Sequence, residues 1–478
     1  MFDLASSYMD VFSLCTQNKS NFTITSGMFS RYLKSPFLVW CDAHAPERER
    51  DPPNAFLQLL FSRSAKIRSK ACKSAKAVDV QSGSIKDVFK SVLDACRKGE
   101  LAIANAPLIF WPEGLQGSAD VLERSEGFSV FGDYQYKVKL VKGAKRIKRD
   151  YCLQAAFNSY ILSLIQGSEP DSFVIVNRDG KEVEFVYEDY KKDVVEAISS
   201  IREILSGKRV SPCVKDASWP WESYIVKCAL KSRDVSLIPH VGRSLKRQLA
   251  QKGIRTIDQL AEFDGELDVP DMIRRRIIAS ARAWKLGEPV LMEKPCIPQS
   301  SCELYVDFEG TDEVPTAKGL AKTDYLIGVL VCKGGKSEYL SFVSRDLDGE
   351  ESIFRSFVRL ALENEGPIYH YGGHELFRIK TLGKKYSVDV SSIVARMIDV
   401  LDVLKQSFAL PTISLSLKDV AQYLGFNWRG TASAQDSIVL FLEFLKSKDE
   451  SVLSRIVDYN EDDVRATRVV KEFLSKAV

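Results

Sequence analysis

The sequence lacks several features that define whole classes of protein. Its 478 residues contain no run of 18 apolar residues, so a membrane span is not expected. The ten cysteines are scattered without a Cys-x-x-Cys pair, which argues against a disulfide framework and favours reduced thiols. The first residues show no basic segment followed by an apolar one, so we expect no secretory signal and a cytoplasmic protein.

The chain also lacks a strong excess of charge of either sign. With a formal net charge of +3, binding to an anionic partner would depend on local basic patches. Two such patches occur, each without an acidic residue: six basic residues between Arg63 and Lys76, and seven between Lys137 and Arg149. The 45% hydrophobic and 27% charged content is typical of a globular protein, and the length predicts two to four domains.

Composition shifts divide the chain into three regions and predict an α/β multidomain protein. Prolines and tryptophans cluster near 212–221, and a segment with two prolines follows at 293–301. Residues 1–215 mix helical patterns with strand-like segments at 173–177 and 183–187. Residues 235 to about 290 look wholly helical. We therefore predict domains at 1–215, 216–295 and 296–478.

The last region has the sequence pattern of one α/β domain. Three strands are predicted in quick succession, with Gly334 and Gly335 as a hairpin signal between the second and the third. A helical pattern follows, then a short strand and several further helices. The predicted strands are 303–308, 325–332, 338–342 and 368–371. The order β-β-β-α-β-α with trailing helices is that of ribonuclease H-like folds.

Acidic residues mark three segments of this region. Asp307 and Glu309 are two residues apart, so on a strand they project from one face and repel each other unless a cation neutralises them. Such oxygen ligands suit Mg²⁺ or Mn²⁺. Glu375 follows a later strand, where a loop can aim it at the sheet edge. Tyr459 and Asp463 are four residues apart in a helical stretch and share a face.

Each of these patterns also has a simpler interpretation. Asp-x-Glu at a strand end and Tyr-x-x-x-Asp on a helix both fit solvated surfaces. His370 and His374 are candidates for assisting proton transfer, because imidazole titrates near neutral pH, but a structural role is the alternative. Asp399 and Asp402 fit metal ligands and helix-surface or cap positions equally well. The metal site therefore depends on the three segments meeting in space.

Together these motifs resemble the DEDD superfamily of 3′–5′ exonucleases, in the branch with a tyrosine in the third motif, and more closely its YprB-type ribonuclease H-like domain. The resemblance covers residues 296–478 and includes the segment 415–426. It implies that four acids hold two Mg²⁺ or Mn²⁺ ions for phosphodiester hydrolysis and that Tyr459 orients the attacking water. Most DEDD exonucleases have Asp where this chain has Glu375. The positions that match the family's site are Asp307, Glu309, Glu375, Tyr459 and Asp463.

The middle region resembles a helix-hairpin-helix module over residues 237–261. The resemblance implies that backbone N–H groups at a glycine-containing turn contact a phosphate without reading the base sequence. Gly242 would allow close approach, and Arg243, Lys246 and Arg247 would add positive charge. A purely structural packing module is the alternative.

The N-terminal region resembles the RecB/Cas4-type PD-(D/E)xK nuclease fold. Asp120, Lys142 and Gln154 match its motif, but Leu140 stands where the fold has its second acid. An alkyl side chain cannot bind a metal ion. We therefore expect a domain that has kept its shape and has lost or weakened its catalysis, as a degenerate second site. Replacement of the missing acid by another one, such as Asp133, is the alternative.

The basic patches extend this interpretation. The second patch, which includes Lys139, Lys142 and Lys145, would form a nucleic-acid groove in the N-terminal domain, or else a solvated surface. In the first patch, four basic residues spaced three and four apart would form one stripe of a helix. That stripe would bind phosphate or merely face water. Its members are Arg63, Lys66, Lys70 and Lys73.

All three regions together resemble the predicted RecB-like nucleases of the TM0106 family, which join a RecB-like domain, a helix-hairpin-helix and a YprB-type exonuclease domain. The resemblance implies a metal-dependent nuclease that acts on DNA, at single strands or ends. Two rivals stay open: a non-catalytic nucleic-acid-binding or scaffold protein with decayed nuclease folds, and an RNA-processing ribonuclease. The sequence names no helicase or repair partner.

Overall fold

The computed structural model describes residues 8–79, 83–311, 314–316, 319–430 and 433–477. Backbone contacts divide the chain into two compact units. The first contains the residues up to Val226 without Asn54–Phe56, and the second contains that short segment and the residues from Lys227 onwards. Within the described residues, no helix is long and apolar enough to cross a membrane.

The first unit is built around one mixed sheet. Its strands are β1 (Ile24–Thr25), β2 (Val78–Asp79), β3 (Ala102–Phe110), β4 (Leu115–Ser125), β5 (Gln135–Val141), β6 (Ser172–Val176) and β7 (Glu182–Val186). Its helices are α1 (Tyr8–Thr16), α2 (Ser26–Lys34), α3 (Pro36–His44), α4 (Ala55–Ser74), α5 (Ile85–Arg97), α6 (Arg149–Gln166), α7 (Glu188–Leu205) and α8 (Glu222–Ser232), the last of which continues past the boundary. Short 3₁₀ turns lie at Glu47–Glu49, Trp111–Glu113 and Val214–Asp216.

The order of strands in this sheet is β2-β3-β4-β5-β6-β7, with β1 beside β4. The strands β3, β4 and β5 are antiparallel neighbours, whereas β5 and β6 are parallel. A parallel pair needs a crossover, and the largely buried helix α6 provides it. Gly167 ends α6 in the left-handed conformation, with φ of 69°. The predicted strands at 173–177 and 183–187 are confirmed as β6 and β7.

The second unit begins with the helical region and continues into a second sheet. Its helices are α9 (Arg243–Gln251), α10 (Ile257–Ala261), α11 (Asp271–Leu286), α12 (Glu350–Glu363), α13 (His374–Tyr386), α14 (Ser391–Val394), α15 (Val400–Ser407), α16 (Leu417–Tyr423), α17 (Ala434–Ser447) and α18 (Glu450–Ser475), with a 3₁₀ turn at Val235–Leu237. Its strands are β8 (Val290–Leu291), β9 (Cys302–Gly310), β10 (Val314–Thr316), β11 (Gly319–Ala321), β12 (Asp324–Lys333), β13 (Lys336–Val343), β14 (Ile368–His370), β15 (Met397–Asp399) and β16 (Phe408–Ala409).

Five of these strands form a sheet in the order β13-β12-β9-β14-β15. The first three are antiparallel neighbours, and β14 runs parallel to both β9 and β15. Gly334 and Gly335 join β12 to β13 with φ values of 58° and 78°. Positive φ at both central residues is the requirement of a tight type I′ hairpin, which explains why glycine occupies both positions.

The alternation of side chains along β9 divides the core of this unit into two layers. Leu304, Val306 and Phe308 belong to the apolar cluster that α12 and α13 complete. Tyr305 belongs to a second cluster, on the other face, to which α18 contributes. Because strand side chains alternate, Asp307 and Glu309 share the face of Tyr305. The fold therefore places both carboxylates on the side of the sheet that α18 covers.

The predicted β-β-β-α-β-α order is confirmed as β9, β12, β13, α12, β14 and α13, with the additional short hairpin β10–β11 inserted after β9. The chain divides at 226/227, whereas we predicted boundaries at 215/216 and 295/296. The helical region lies in the same unit as the second sheet because β8 pairs with β16 and the indole of Trp284 donates to the Thr412 carbonyl, at 3.4 Å.

Candidate metal centre and active site

Three carboxylates from distant parts of the chain meet at the centre of the second sheet. Asp307 and Glu309 come from the end of β9, and Asp463 comes from the middle of α18. One carboxylate oxygen from each lies within 4.8 Å of the others. Such a triangle of oxygens has the size and chemistry of a divalent cation site. The structure thus brings together the first and third of the predicted acidic segments.

Glu375 lies beside this triangle but outside it. It stands in the first turn of α13, immediately after β14, and its side chain is buried. Its charge contributes to raising the pKa values of both Asp307 and Glu309. Its Oε2 atom is buried and accepts no hydrogen bond from the described residues, although Nδ1 of His370 lies 3.6 Å away. A buried carboxylate oxygen that is incompletely satisfied in this way can serve as a ligand for a cation.

Asp307 is held by an amide. The side chain of Asn460, which is fully buried, donates from Nδ2 to Oδ2 of Asp307 at 2.6 Å. The hydroxyl of Tyr339 donates in turn to Oδ1 of Asn460, at 2.9 Å. The amide fits because Gly328, which pairs with Asp307 on the neighbouring strand, has no side chain: a Cβ there would lie 1.6 Å from Oδ1 of Asn460.

Glu309 and Asp463 are also fixed by neutral donors. The Ser437 hydroxyl donates to Oε2 of Glu309 at 2.9 Å. The indole of Trp428 donates to Oδ1 of Asp463 at 2.7 Å. The Tyr459 hydroxyl, one helical turn before Asp463, also forms a hydrogen bond with that carboxylate. These bonds fix the direction of each carboxylate without neutralising its charge.

The electrostatics of the cluster are those of crowded, uncompensated acids. Burial and the charges of Asp463, Glu309 and Glu375 raise the pKa of Asp307 well above its usual range. Burial and neighbouring carboxylates raise the pKa of Glu309 to about 8, although the Ser437 hydrogen bond opposes this. Burial raises the pKa of Asp463 to about 6, against the hydrogen bonds that it accepts. The cluster therefore holds a proton or a cation near neutral pH.

The donor set fits Mg²⁺ or Mn²⁺. Among the described residues, no lysine or arginine side chain forms an ion pair with any of the four acids, and His370 lies 3.6 Å from Oε2 of Glu375. Carboxylate oxygens are the preferred ligands of these hard ions. Asp307, Glu309 and Asp463 would hold an ion directly.

The two candidate histidines differ in their surroundings. His370 is buried at the end of β14, with Nδ1 2.6 Å from the Gly372 carbonyl and 3.6 Å from Oε2 of Glu375. Burial opposes protonation of its imidazole, but the carboxylates of Glu375 and Asp399 and the Gly372 carbonyl together raise its pKa. His374 is exposed at the start of α13. His370 thus shapes the strand-to-helix turn that carries Glu375.

The two further aspartate candidates occupy structural positions. Asp399 accepts hydrogen bonds from the backbone N–H groups of Gly372, at 2.8 Å, and Leu401, at 2.9 Å, and so caps α15. Asp402 is exposed and pairs with Lys405 at 3.2 Å. Helix-cap and helix-surface roles account for both.

Residues predicted to form a second site in the first unit lie close to one another. Lys142 Nζ donates to Oε1 of Gln154 at 2.6 Å, and Oδ2 of Asp120 accepts from the Val141 backbone at 2.7 Å. Burial lowers the pKa of Lys142, against the charge of Asp120. Leu140 is buried in the apolar core of this unit. Of the matching positions, Asp120, Lys142 and Gln154 therefore lie together without a second acid from position 140.

The basic residues predicted to line a groove in this unit differ in how far they are exposed to solvent. Lys139 is largely buried and pairs with Glu123 at 2.9 Å and Glu182 at 3.0 Å. This placement argues against a phosphate-binding role for Lys139, because its charge is already compensated. Lys145 is exposed.

In the helical region, too, a basic residue predicted to contact phosphate has a structural partner. Lys246 Nζ donates to Asp234 at 2.6 Å, and both side chains are largely buried, so Lys246 has a structural partner. Arg243 and Arg247 are exposed on α9. Gly242 precedes α9 with φ of −89°, and a Cβ there would meet no atom within 4 Å. No protein group requires glycine at that position, so close approach of a ligand stays a prediction.

The neutral residues that orient the acids, Asn460, Ser437 and Trp428, were not predicted from the sequence, nor was Tyr339, which holds Asn460. One signal was present in the sequence. Gly328 interrupts the apolar run of β12, and a glycine inside a strand indicates close approach of another group. That group is Asn460, which directly follows Tyr459 of the third motif. Ser437 and Trp428 carry no comparable signal, because their role depends on how α17 and its preceding loop pack.

Comparison with known families bears on this unit. No curated protein matches the sequence. Residues 304–475, a little over one third of the chain, match the model of RNase_H_2, a family of the RNase H superfamily. The match spans β9 to α18 and contains all four acids and Tyr459. Together with the sheet order, it shows that the chain carries a ribonuclease H-like domain at its C-terminus.

Proposed function

We propose that the ribonuclease H-like domain is a metal-dependent nuclease that hydrolyses phosphodiester bonds. One observation carries the proposal: three acids from β9 and α18 converge within 4.8 Å, without a basic partner in the described chain. The mutual repulsion of these acids destabilises the fold unless a cation neutralises it. Their convergence in one buried pocket is therefore explained if the cluster binds cations.

Asp307, Glu309, Glu375 and Asp463 would hold two Mg²⁺ or Mn²⁺ ions. Bound there, the ions would supply charge neutralisation at the scissile phosphate and activation of water. The role of the neighbouring residues is to orient the carboxylates. The hydrogen bonds from Asn460, Ser437 and Trp428 keep the carboxylates oriented before any ligand arrives.

Tyr459 is the residue proposed to orient the attacking water. Burial and the charges of Asp463, Glu309 and Asp307 raise its pKa above the usual range, so the hydroxyl stays protonated near neutral pH. A neutral hydroxyl beside the cluster can donate one hydrogen bond and accept another. His370 would act by holding the turn that presents Glu375.

We further propose that the domain is a 3′–5′ exonuclease that acts on DNA, at single strands or ends. This more specific proposal rests on the resemblance of the motifs to DEDD exonucleases and to the TM0106 family. The helix-hairpin-helix and the PD-(D/E)xK-like unit would grip the substrate in this proposal. The exposed Arg243 and Arg247 on α9 are consistent with contact to phosphates.

The proposal is tested with end-labelled single-stranded DNA and a matched RNA, with Mg²⁺, with Mn²⁺ and with a chelator. We expect the labelled DNA to be shortened, and comparison of 3′-labelled with 5′-labelled DNA gives the direction of digestion. Cleavage should be lost when the chelator is present. It should also be lost in the double variant Asp307→Ala, Asp463→Ala. Asp402→Ala, on an exposed helix surface, is the matched control and should retain activity. Undiminished cleavage by the double variant would refute the proposal, and preference for the RNA would favour the ribonuclease alternative.

A further inference from the structure

The helix α4 carries a basic face that the proposed catalytic site does not use. Arg63, Lys66, Lys70 and Lys73 are spaced three, four and three residues apart, so they form one stripe along this helix. Lys66, Lys70 and Lys73 are exposed, and Arg63 is half-buried. The segment from Arg63 to Lys76 contains no acid. The positive charges of this stripe are therefore not balanced by neighbours on the helix.

The stripe is not balanced by other elements either. Among the described residues, none of its four members forms an ion pair, and Arg68 alone on α4 approaches an acid, Asp120, at 3.9 Å. The second basic patch of the same unit differs. There, Lys137 pairs with Glu184 at 2.8 Å, Lys139 pairs with two glutamates, and Arg149 pairs with Asp193.

Two shallow depressions lie beside the stripe. One depression of about 510 Å³ is lined by Lys66, Ser69, Lys70, Lys73 and Ser74. A second, of about 370 Å³, adjoins it: Ser69 and Lys73 line both, and Arg68 and Asn105 lie along the second. Hydroxyl and amide groups beside cations are the groups that bind phosphate oxygens.

The spacing of the stripe matches a strand of phosphates. At 1.5 Å per residue, Lys66 and Lys73 lie roughly 10 Å apart along the helix axis. Along duplex DNA, where each strand carries one phosphate per roughly 3.4 Å of the helix axis, this span covers about three nucleotides of one strand. Like charges at these helical spacings repel one another, and a bound polyanion relieves that repulsion while releasing counterions.

We propose that the basic stripe of α4 is a docking surface for the phosphate backbone of nucleic acid, independent of base sequence. The choice of nucleic acid as partner rests on the proposed nuclease function, since an RNase H-like domain acts on such a polymer. The surface itself is argued from charge, exposure and shape. It is separate from the second basic patch, of which Lys137, Lys139 and Arg149 are paired with acids.

The test uses the full-length protein and a labelled single-stranded oligonucleotide, with chelator present so that binding is measured without cleavage. The affinity is determined over a range of salt concentrations. The stripe variant carries Arg63→Gln, Lys66→Gln, Lys70→Gln and Lys73→Gln. The control variant removes the same charge from exposed lysines elsewhere in the unit, with Lys90→Gln, Lys98→Gln, Lys181→Gln and Lys192→Gln.

We expect the stripe variant to bind at least about tenfold more weakly at low salt. The slope of log affinity against log salt should become shallower by about 2 to 3, since each lost phosphate contact on a single strand removes about 0.7. The control variant should keep the slope of the wild type. If the quadruple variant unfolds, Lys66→Gln and Lys70→Gln singly should each reduce the slope by about 0.7.

Two results would overturn the proposal: an unchanged slope in the stripe variant, or an equal loss in the control variant. A third arm measures binding to phosphatidylserine vesicles. Loss of vesicle binding with unchanged DNA binding would also overturn it and would assign the stripe to an anionic lipid surface. Because these measurements need no metal, absence of cleavage would count against the nuclease proposal and leave this one standing.

Discussion

The amide of Asn460 donates a hydrogen bond to Oδ2 of Asp307, at 2.6 Å, across 153 residues of sequence. This bond connects α18 to β9 at the point where the acids converge. Asn460 is one residue after Tyr459 and three before Asp463, so the same helix that supplies a candidate ligand also orients another one. Asn460 therefore belongs with Tyr459 and Asp463 as a third functional position of the predicted third motif.

Replacing Asn460 by Ala should reduce both activity and stability. The substitution removes the donor to Asp307 and leaves Tyr339 with only the long bond to the Val457 carbonyl, at 3.4 Å, and losses of this kind at buried groups cost about 1–3 kcal/mol of unfolding free energy. We expect cleavage with Mg²⁺ to fall by about tenfold or more, since the carboxylate is no longer held in place. Thermal unfolding and the cleavage rate check this. Asn427→Ala, an exposed asparagine in the same domain, should behave as the wild type.

Gly328→Ala should be destabilising for a steric reason. The new Cβ would lie 1.6 Å from Oδ1 of Asn460 and 2.8 Å from the Tyr339 hydroxyl, so the amide must move away from Asp307. Overpacking of this kind costs about 1–3 kcal/mol, measured by chemical denaturation. Gly242→Ala is the matched control, because its Cβ would meet nothing within 4 Å. Equal stabilities of the two variants would contradict the steric explanation.

The stability of the metal-free protein should decrease with rising pH because of the cluster. The pKa of Glu309 is raised from 4.5 to about 8 and that of Asp463 from 3.8 to about 6. Between those limits the folded protein binds more protons than the unfolded chain, so this contribution to stability is lost as pH rises from about 4 to about 8. Melting temperatures with chelator should show this decrease.

Addition of Mg²⁺ or Mn²⁺ should raise the melting temperature more at pH 8 than at pH 5, since protons and cations compete for the same oxygens. The variant Glu309→Gln, Asp463→Asn should show a smaller pH dependence and a smaller response to metal. A wild type and variant with identical pH dependence would show that the cluster does not titrate as described.

Trp428→Phe should shift the pH profile of cleavage. The substitution removes the indole N–H that donates to Asp463 but keeps an aromatic ring beside Phe426. Because that hydrogen bond lowers the pKa of Asp463, its loss should raise this pKa and move the acidic limb of the profile to higher pH. Trp284→Phe, whose indole donates to a backbone carbonyl outside the cluster, should leave the profile unchanged.

Lys142→Ala should leave the cleavage rate unchanged if the PD-(D/E)xK-like site is catalytically lost. Lys142 is bonded to Gln154, and Leu140 occupies a core position that offers no ligand. The measurement is the rate on the DNA substrate at saturating metal. A partial loss of rate, accompanied by a similar loss in Asp133→Ala, would instead support the alternative in which this unit still cuts.

Local patterns in the sequence were sufficient to predict several features of the second sheet. The alternation along β9 predicted that Asp307 and Glu309 share a face, and two adjacent glycines predicted the hairpin between β12 and β13. These features depend on interactions between residues close in sequence. The short hairpin β10–β11 was missed, since neither of its strands is longer than three residues.

The sequence alone could not predict which basic side chains are buried in ion pairs and which face solvent. Lys139 and Lys246 look identical in sequence to lysines that face solvent, but each is largely buried against an acid. Their partners lie 43 and 12 residues away. The unbalanced stripe of α4 was visible as an acid-free run, whereas its lack of ion pairs became evident only from the positions of the other elements.

The sequence by itself determined which residues could be ligands and which face of a strand or helix they occupy, because those properties follow from backbone periodicity. The tertiary structure decided that Asp463 meets Asp307 and Glu309, that neutral groups from α17, α18 and the loop at Trp428 hold them, and that no basic side chain in the described chain neutralises them. Those features depend on packing between segments 35 to 153 residues apart, and backbone periodicity contains no information about contacts at such separations.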